Sequence, residues 1–168
     1  MNEFIKQLSS YNILNYLIPG VVFAFLCNHY TSFSVLIPGS ALALFLYYFY
    51  GMIISRVGSI IIEPIFKGLK IVVFAPYTDF VKASREDAQL VILSEQNNVY
   101  RTIISMIVCI LGCMGFELLA TKYPWLQESY GLLLVLSLLV MFSLAYRKQT
   151  SYVRNRVVND LKPKRGDN

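Results

Sequence analysis

Four apolar stretches punctuate the chain, and their lengths decide what kind of protein it is. They run from Tyr11 to Tyr30, from Ser34 to Ile54, from Tyr100 to Leu119 and from Gly131 to Tyr146. A helix rises 1.5 Å per residue, so about 20 apolar residues cross a hydrocarbon core of about 30 Å. The fourth stretch is short, and Glu128 to Tyr130 complete it by snorkelling and tilt. The pattern predicts an all-α integral membrane protein with four transmembrane helices and retained, uncleaved first span.

The second stretch holds no charge before Arg56 and carries on into Ser55-Arg56-Val57-Gly58-Ser59. A helix continuous to Ile62 is about 43 Å long, so its last turns project beyond the hydrocarbon core. Glu63-Pro64 is expected to stop it, because the residue before proline is pushed out of the helical region. Tyr47, Tyr48 and Tyr50 read as an aromatic belt at its inner end. Gly51, Ser55 and Ser59 put small residues on one face, and Ser105, Cys109 and Gly112 do the same in the third span. Such faces let helices approach closely, either as a packing seam within the chain or as an oligomer seam. In the first span Asn15, Pro19 and Gly20 predict a kink, since proline removes a backbone donor and crowds the preceding turn. Asn12 and Asn15 either bond across helices or sit at headgroup level.

Five segments follow from this pattern. Residues 1–10 are an interfacial N-terminal segment or a plain leader, and 11–55 hold transmembrane helices 1 and 2. Residues 56–99 form a cytoplasmic insert, 100–146 hold helices 3 and 4, and 147–168 make a basic cytoplasmic tail that begins as a helix. Pro38 falls in the first turn of the second helix, where a missing donor costs little. Within the insert, Ile65 to Pro76 reads as an apolar segment on the inner leaflet with Lys67 and Lys70 toward lipid phosphates. Ser84 with Asp87 three residues on reads as a turn or a helix start, and Leu90 to Leu93 as a short strand or a buried helical turn. Pro124 is placed in an outer loop marked by Tyr123, Trp125 and Tyr130, and Glu117 near that end is read as hydrated or paired with Lys122.

Charge then fixes an expected orientation. Of 15 basic residues, only Lys122 lies between the third and fourth spans, whereas the head, the stretch from Arg56 to Arg101 and the tail share the rest. The positive-inside rule places both termini and the insert in the cytoplasm of a bacterial inner membrane, with two short loops outside. The net charge of +5 follows from that topology, and no direct contact with nucleic acid is expected.

Candidate chemistry is sparse. His29, the one histidine, sits at the outer end beside no nucleophile, and no glycine-rich phosphate loop or metal-ligand spacing occurs. No catalytic residue, metal or cofactor is expected. Cys27, Cys109 and Cys113 read as small packing residues. Arg56, Glu63, Asn97, Asn98, Arg101, Arg154 and Arg156 gather at the inner interface. They either grip an anionic headgroup or a partner, or cap helices and answer anionic lipid. Asn15 to Gly20, Ser55 to Ser59 with Glu63-Pro64, and Ser94 to Asn98 with Tyr100-Arg101 carry a general resemblance to small multi-pass inner-membrane subunits of bacterial anti-phage defence systems, of the Kiwa-like membrane-subunit kind. The resemblance implies an inner-membrane subunit that oligomerises and either senses infection and controls a cytoplasmic partner or damages the membrane itself; the leading expectation is a non-enzymatic subunit that anchors or signals to a cytoplasmic protein partner. A pore-forming effector, and a small lipid-modifying enzyme or transporter, are the alternative expectations.

Overall fold

The computed structural model describes residues 11–37, 39 and 41–161. The expectations for residues 1–10, for Pro38 and for the end of the tail at 162–168 lie outside the described residues. Helix α1 is a π segment, Ile13–Leu17, followed by Ile18–Tyr30. Helix α2 is Ala41–Val57, a second π segment at Gly58–Ile62, and Glu63–Gly68. Then come α3 (Tyr77–Glu86), α4 (Gln89–Lys122) and α5 (Pro124–Leu161). Helices α1, α2, α4 and α5 are each long and apolar enough to cross a membrane, and the chain is a multi-pass membrane protein. Most of its large apolar side chains are exposed, as lipid-facing residues are.

The bundle is built on α1 crossing α2 at two glycines. A Cβ on Gly20 would strike the Tyr47 carbonyl oxygen, and one on Gly51 would strike that of Tyr16. Only hydrogen fits at either point, so backbone meets backbone in a geometry that favours Cα–H···O contacts. Next to this crossing α4 closes a polar core. Asn15 is 1% exposed and Thr102 fully buried. Thr102 Oγ1 lies 2.8 Å from both Asn15 Oδ1 and the Asn98 carbonyl oxygen, and Asn15 Nδ2 donates to Ser55 Oγ at 3.4 Å. Ser105 Oγ donates to the Ile54 carbonyl at 2.7 Å. Asn15 therefore bonds across helices, while Asn12 is only half-buried. Asn15→Leu should lower stability by about 1 kcal/mol, the usual scale for an interhelical hydrogen bond in a bilayer, read as an earlier thermal transition in detergent.

Three expectations need correction. The first is the start of α2, which lies at Ala41 rather than near Ser34 because the chain from Thr31 stays extended. That segment packs onto the bundle: Val35 and Ile37 lie against Ala24, Ala43 and Tyr47. The Tyr47 hydroxyl donates to the Ile37 carbonyl at 2.7 Å and accepts from its amide at 3.0 Å. Tyr47 is buried in the bundle, while Tyr48 and Tyr50 are half-buried, Tyr48 edge-on to Tyr16 and Tyr50 edge-on to Phe23.

Pro64 does not stop α2. Ahead of it the helix widens to the π spacing, and the Glu63 amide donates to the Gly58 carbonyl five residues back, which relieves the clash between the proline ring and the turn before it. Pro19 is accommodated in the same way, with the Ile18 amide donating to Ile13. The helix ends later, where the Ile71 amide reaches Phe66 and the Lys70 amide reaches Lys67 with Lys70 at φ 57°. These bonds form a Schellman cap with lysine in the left-handed position that glycine usually takes.

The third correction concerns the remaining caps and loops. Ser84 lies in the last turn of α3 and donates to the Val81 carbonyl, whereas Asp87 accepts from the Gln89 amide and so starts α4. Leu90 to Leu93 open α4, three of the four side chains being exposed. Pro124 begins α5 directly after Tyr123, its missing donor falling where no partner is needed. Glu117 accepts from the Ser32 amide at 2.9 Å and ties the α1–α2 connection to α4. Helix α2 runs on past residue 55 to Gly68, and α4 begins at Gln89, ahead of residue 100.

Candidate functional site

Among the described residues, Glu63 is the one charged residue that the fold buries, at 7% exposed, and three cations converge on it. Lys67, one turn along α2, pairs with Oε1 at 2.8 Å. Arg101 of α4 reaches Oε2 through Nη1 at 2.6 Å, and Lys148 of α5 lies 3.3 Å from Oε1. One carboxylate thus joins α2, α4 and α5. We call this the basic end of the bundle.

The π segment explains why Lys148 belongs there. The Glu63 amide that would bond Ser59 in an α-helix is used by Gly58, and Pro64 offers no amide at the π spacing. The Ser59 carbonyl is left without a backbone donor, and Lys148 Nζ supplies one at 2.6 Å while also donating to Ser59 Oγ at 2.8 Å. All three ammonium protons are then placed: two on Ser59 and one toward Glu63. Proline in α2 and lysine in α5 are two halves of one contact. Close packing continues at Gly58, where a Cβ would come within 3.2 Å of Ser105 Cβ and 3.3 Å of the Arg101 carbonyl.

Helix α5 depends on this end. None of the residues in its membrane-crossing segment is buried. Phe142 stacks beside Phe49 at 6.3 Å between ring centroids, and beyond Lys148 the Tyr152 ring meets Tyr77 of α3 at 6.0 Å. Lipid tails are as apolar as leucine, so exposed apolar side chains give α5 little reason to prefer the bundle, and the polar contacts at Ser59 and Glu63 set its position.

The residues singled out from sequence separate into groups. Gly51, Ser55, Ser59 and Ser105 are buried inside the chain, each against a different neighbour, so the α2 face is an internal seam. Cys109 packs half-buried beside Ile54, Met106 and Ile110, but a Cβ on Gly112 would touch nothing, and the third-span face ends before it. Glu63 and Arg101 meet directly. Arg56 lines a recess between α2 and α5, Asn98 uses its carbonyl inside the bundle, and Asn97, Arg154 and Arg156 are exposed. Asn15, Pro19 and Gly20 form the first π segment and the crossing. Sequence reasoning turned Lys67 toward lipid phosphates, whereas it pairs with Glu63, and it missed Lys148. The first was legible as a Glu-to-Lys pair four residues apart, but nothing local distinguishes Lys148 from its neighbour Arg147.

A carboxylate held by three cations works as a junction, holding helices in register. Among the described residues no group of His, Cys, Asp and Glu is arranged to hold a metal ion. No protein-family model, curated protein or solved structure matches the chain.

Proposed function

We propose that the chain is a non-enzymatic inner-membrane subunit, both termini in the cytoplasm, that assembles with copies of itself and holds or signals to a cytoplasmic protein partner. This is one of the two roles implied by its resemblance to membrane subunits of anti-phage defence systems. The observation that carries it is the Glu63 junction: three membrane-crossing helices are ionically joined at their basic end. Helices α4 and α5 are about 51 and 57 Å long at 1.5 Å per residue, well beyond a hydrocarbon core of about 30 Å. A rotation of any one span is therefore passed, as a rigid body, to a helical platform that includes α3. The distribution of basic residues supports placing this platform in the cytoplasm. Because the Gly51–Ser55–Ser59 face is used within the chain, assembly falls to the lipid-facing surface, of which α5 offers the most.

Replacing Tyr77–Glu86 with a glycine-serine segment of equal length should leave membrane insertion and particle mass in detergent unchanged. Co-purification of cytoplasmic proteins seen with the parent chain, compared by mass spectrometry, should be abolished. Undiminished capture would sink the docking role.

A further inference from the structure

The recess between α2 and α5 is small and open at its mouth, and it is lined by Arg56, Ser59, Ala145, Lys148, Gln149 and Tyr152. Two of these residues are cations and none is an acid. Lys148 has spent its protons on Ser59 and Glu63, but Arg56 is half-buried and takes part in no hydrogen bond or ion pair with the described residues. A guanidinium carries five donors in a planar fork, and leaving them unused in a partly dehydrated site is costly. Electrostatics and hydrogen bonding both ask for an anion that the protein does not supply.

Depth says where that anion comes from. Residues Gly131 to Tyr146 of α5 are uncharged and Arg147 is the first charge after them, so a recess bounded by Ala145, Lys148, Gln149 and Tyr152 straddles the level at which hydrocarbon gives way to headgroups. Arg56 enters from α2 at the same level, where a long side chain can hold its charge among phosphates. The excess of positive charge extends past the recess, since three cations share Glu63 and the Arg101 Nε is a buried donor with no partner.

We propose that this recess binds a phosphate group, with the Arg56 fork as its principal ligand and the Gln149 amide and Tyr152 hydroxyl as further donors. A bound phosphate would bridge α2 and α5 beside the Lys148–Ser59 contact and add an anionic partner to the junction. The shared chemistry is the phosphate, carried either by an anionic membrane lipid or by a soluble phosphate. The site stands independently of any docking to a cytoplasmic partner.

The test uses the full chain purified in a neutral detergent and titrated with phosphatidylglycerol, phosphatidylcholine or inorganic phosphate, following the thermal transition and the lipid retained in native mass spectrometry. Phosphatidylglycerol should raise the transition more than phosphatidylcholine. Arg56→Gln should weaken that response about tenfold, the loss of one charge-assisted contact. Arg147→Gln, which removes an exposed charge at the same depth but outside the recess, should leave it unchanged. A response to phosphatidylglycerol alone identifies a lipid, and an equal, Arg56-dependent response to inorganic phosphate identifies a soluble ligand. Equal responses from Arg56→Gln and the parent, or equal losses from the Arg56 and Arg147 variants, would overturn the proposal. If Arg56→Gln yields no folded protein, Arg56→Lys keeps the charge without the fork and is judged by the same comparison.

Discussion

Gly51→Ala is expected to cost about 3 kcal/mol or more, the upper range for forcing an extra group into a packed interior. The added methyl would meet the Tyr16 carbonyl oxygen, which is backbone in the middle of a helix and has no rotamer by which to move. Relief requires α1 and α2 to separate, and separation pulls Asn15 away from Ser55 and Thr102, so the loss spreads into the polar core. Little folded protein should be recovered in detergent, with a thermal transition far below that of the parent. Gly112→Ala is the matched control. It adds the same methyl at a helical glycine where nothing lies within contact distance, and should be neutral or stabilising by about 0.5 kcal/mol through backbone entropy. If both variants behave alike, the glycine crossing is not what holds α1 against α2.

Glu63→Gln ranks next, with an expected loss of about 3–5 kcal/mol, the scale for removing one member of a buried ion pair. Gln keeps the shape but leaves Lys67, Arg101 and Lys148 around a neutral amide. Most of the damage is the cost of cations left uncompensated, so it should shrink when a cation leaves too. Adding Lys148→Met to Glu63→Gln should cost less than the sum of the two single losses, an interaction that a double-mutant cycle isolates. Lys148→Met by itself strands the Ser59 carbonyl and should loosen α5. A Phe49→Cys, Phe142→Cys pair, placed where the rings stack in the parent, should then cross-link more slowly. Strict additivity of the Glu63 and Lys148 substitutions would show that the two residues do not act as one junction.

The all-helical, four-span character was legible because a bilayer leaves the backbone no alternative: every buried amide must be satisfied within its own segment, and long uncharged runs become helices. The small-residue face of α2 could be read as a seam from spacing alone. Its assignment to partners within the chain could not, because Gly51, Ser55 and Ser59 turn out to face α1, both α1 and α4, and α5 respectively. The start of α2 was misplaced because Val35 and Ile37 pack half-buried against the bundle in a non-helical segment, and hydrophobicity does not distinguish that from a helix. The proline at position 64 misled for a related reason, since a local rule about the residue before proline has an exception in the widened π turn.

Sequence by itself determined the spans and the uneven distribution of basic residues, since both depend on composition over windows comparable to a membrane's thickness. It also marked Glu63 as unusual, an acid next to proline at the end of an apolar run. Only the tertiary structure decided what Glu63 does. Whether its carboxylate meets water, lipid or Lys148 depends on the rotation of α5 about its own axis and on the Ser59 carbonyl that the π turn leaves open, 89 residues before Lys148 in the chain. Helix phase and long-range partnership of that kind have no local signature, because the residues that satisfy one another gain nothing until the helices have already met.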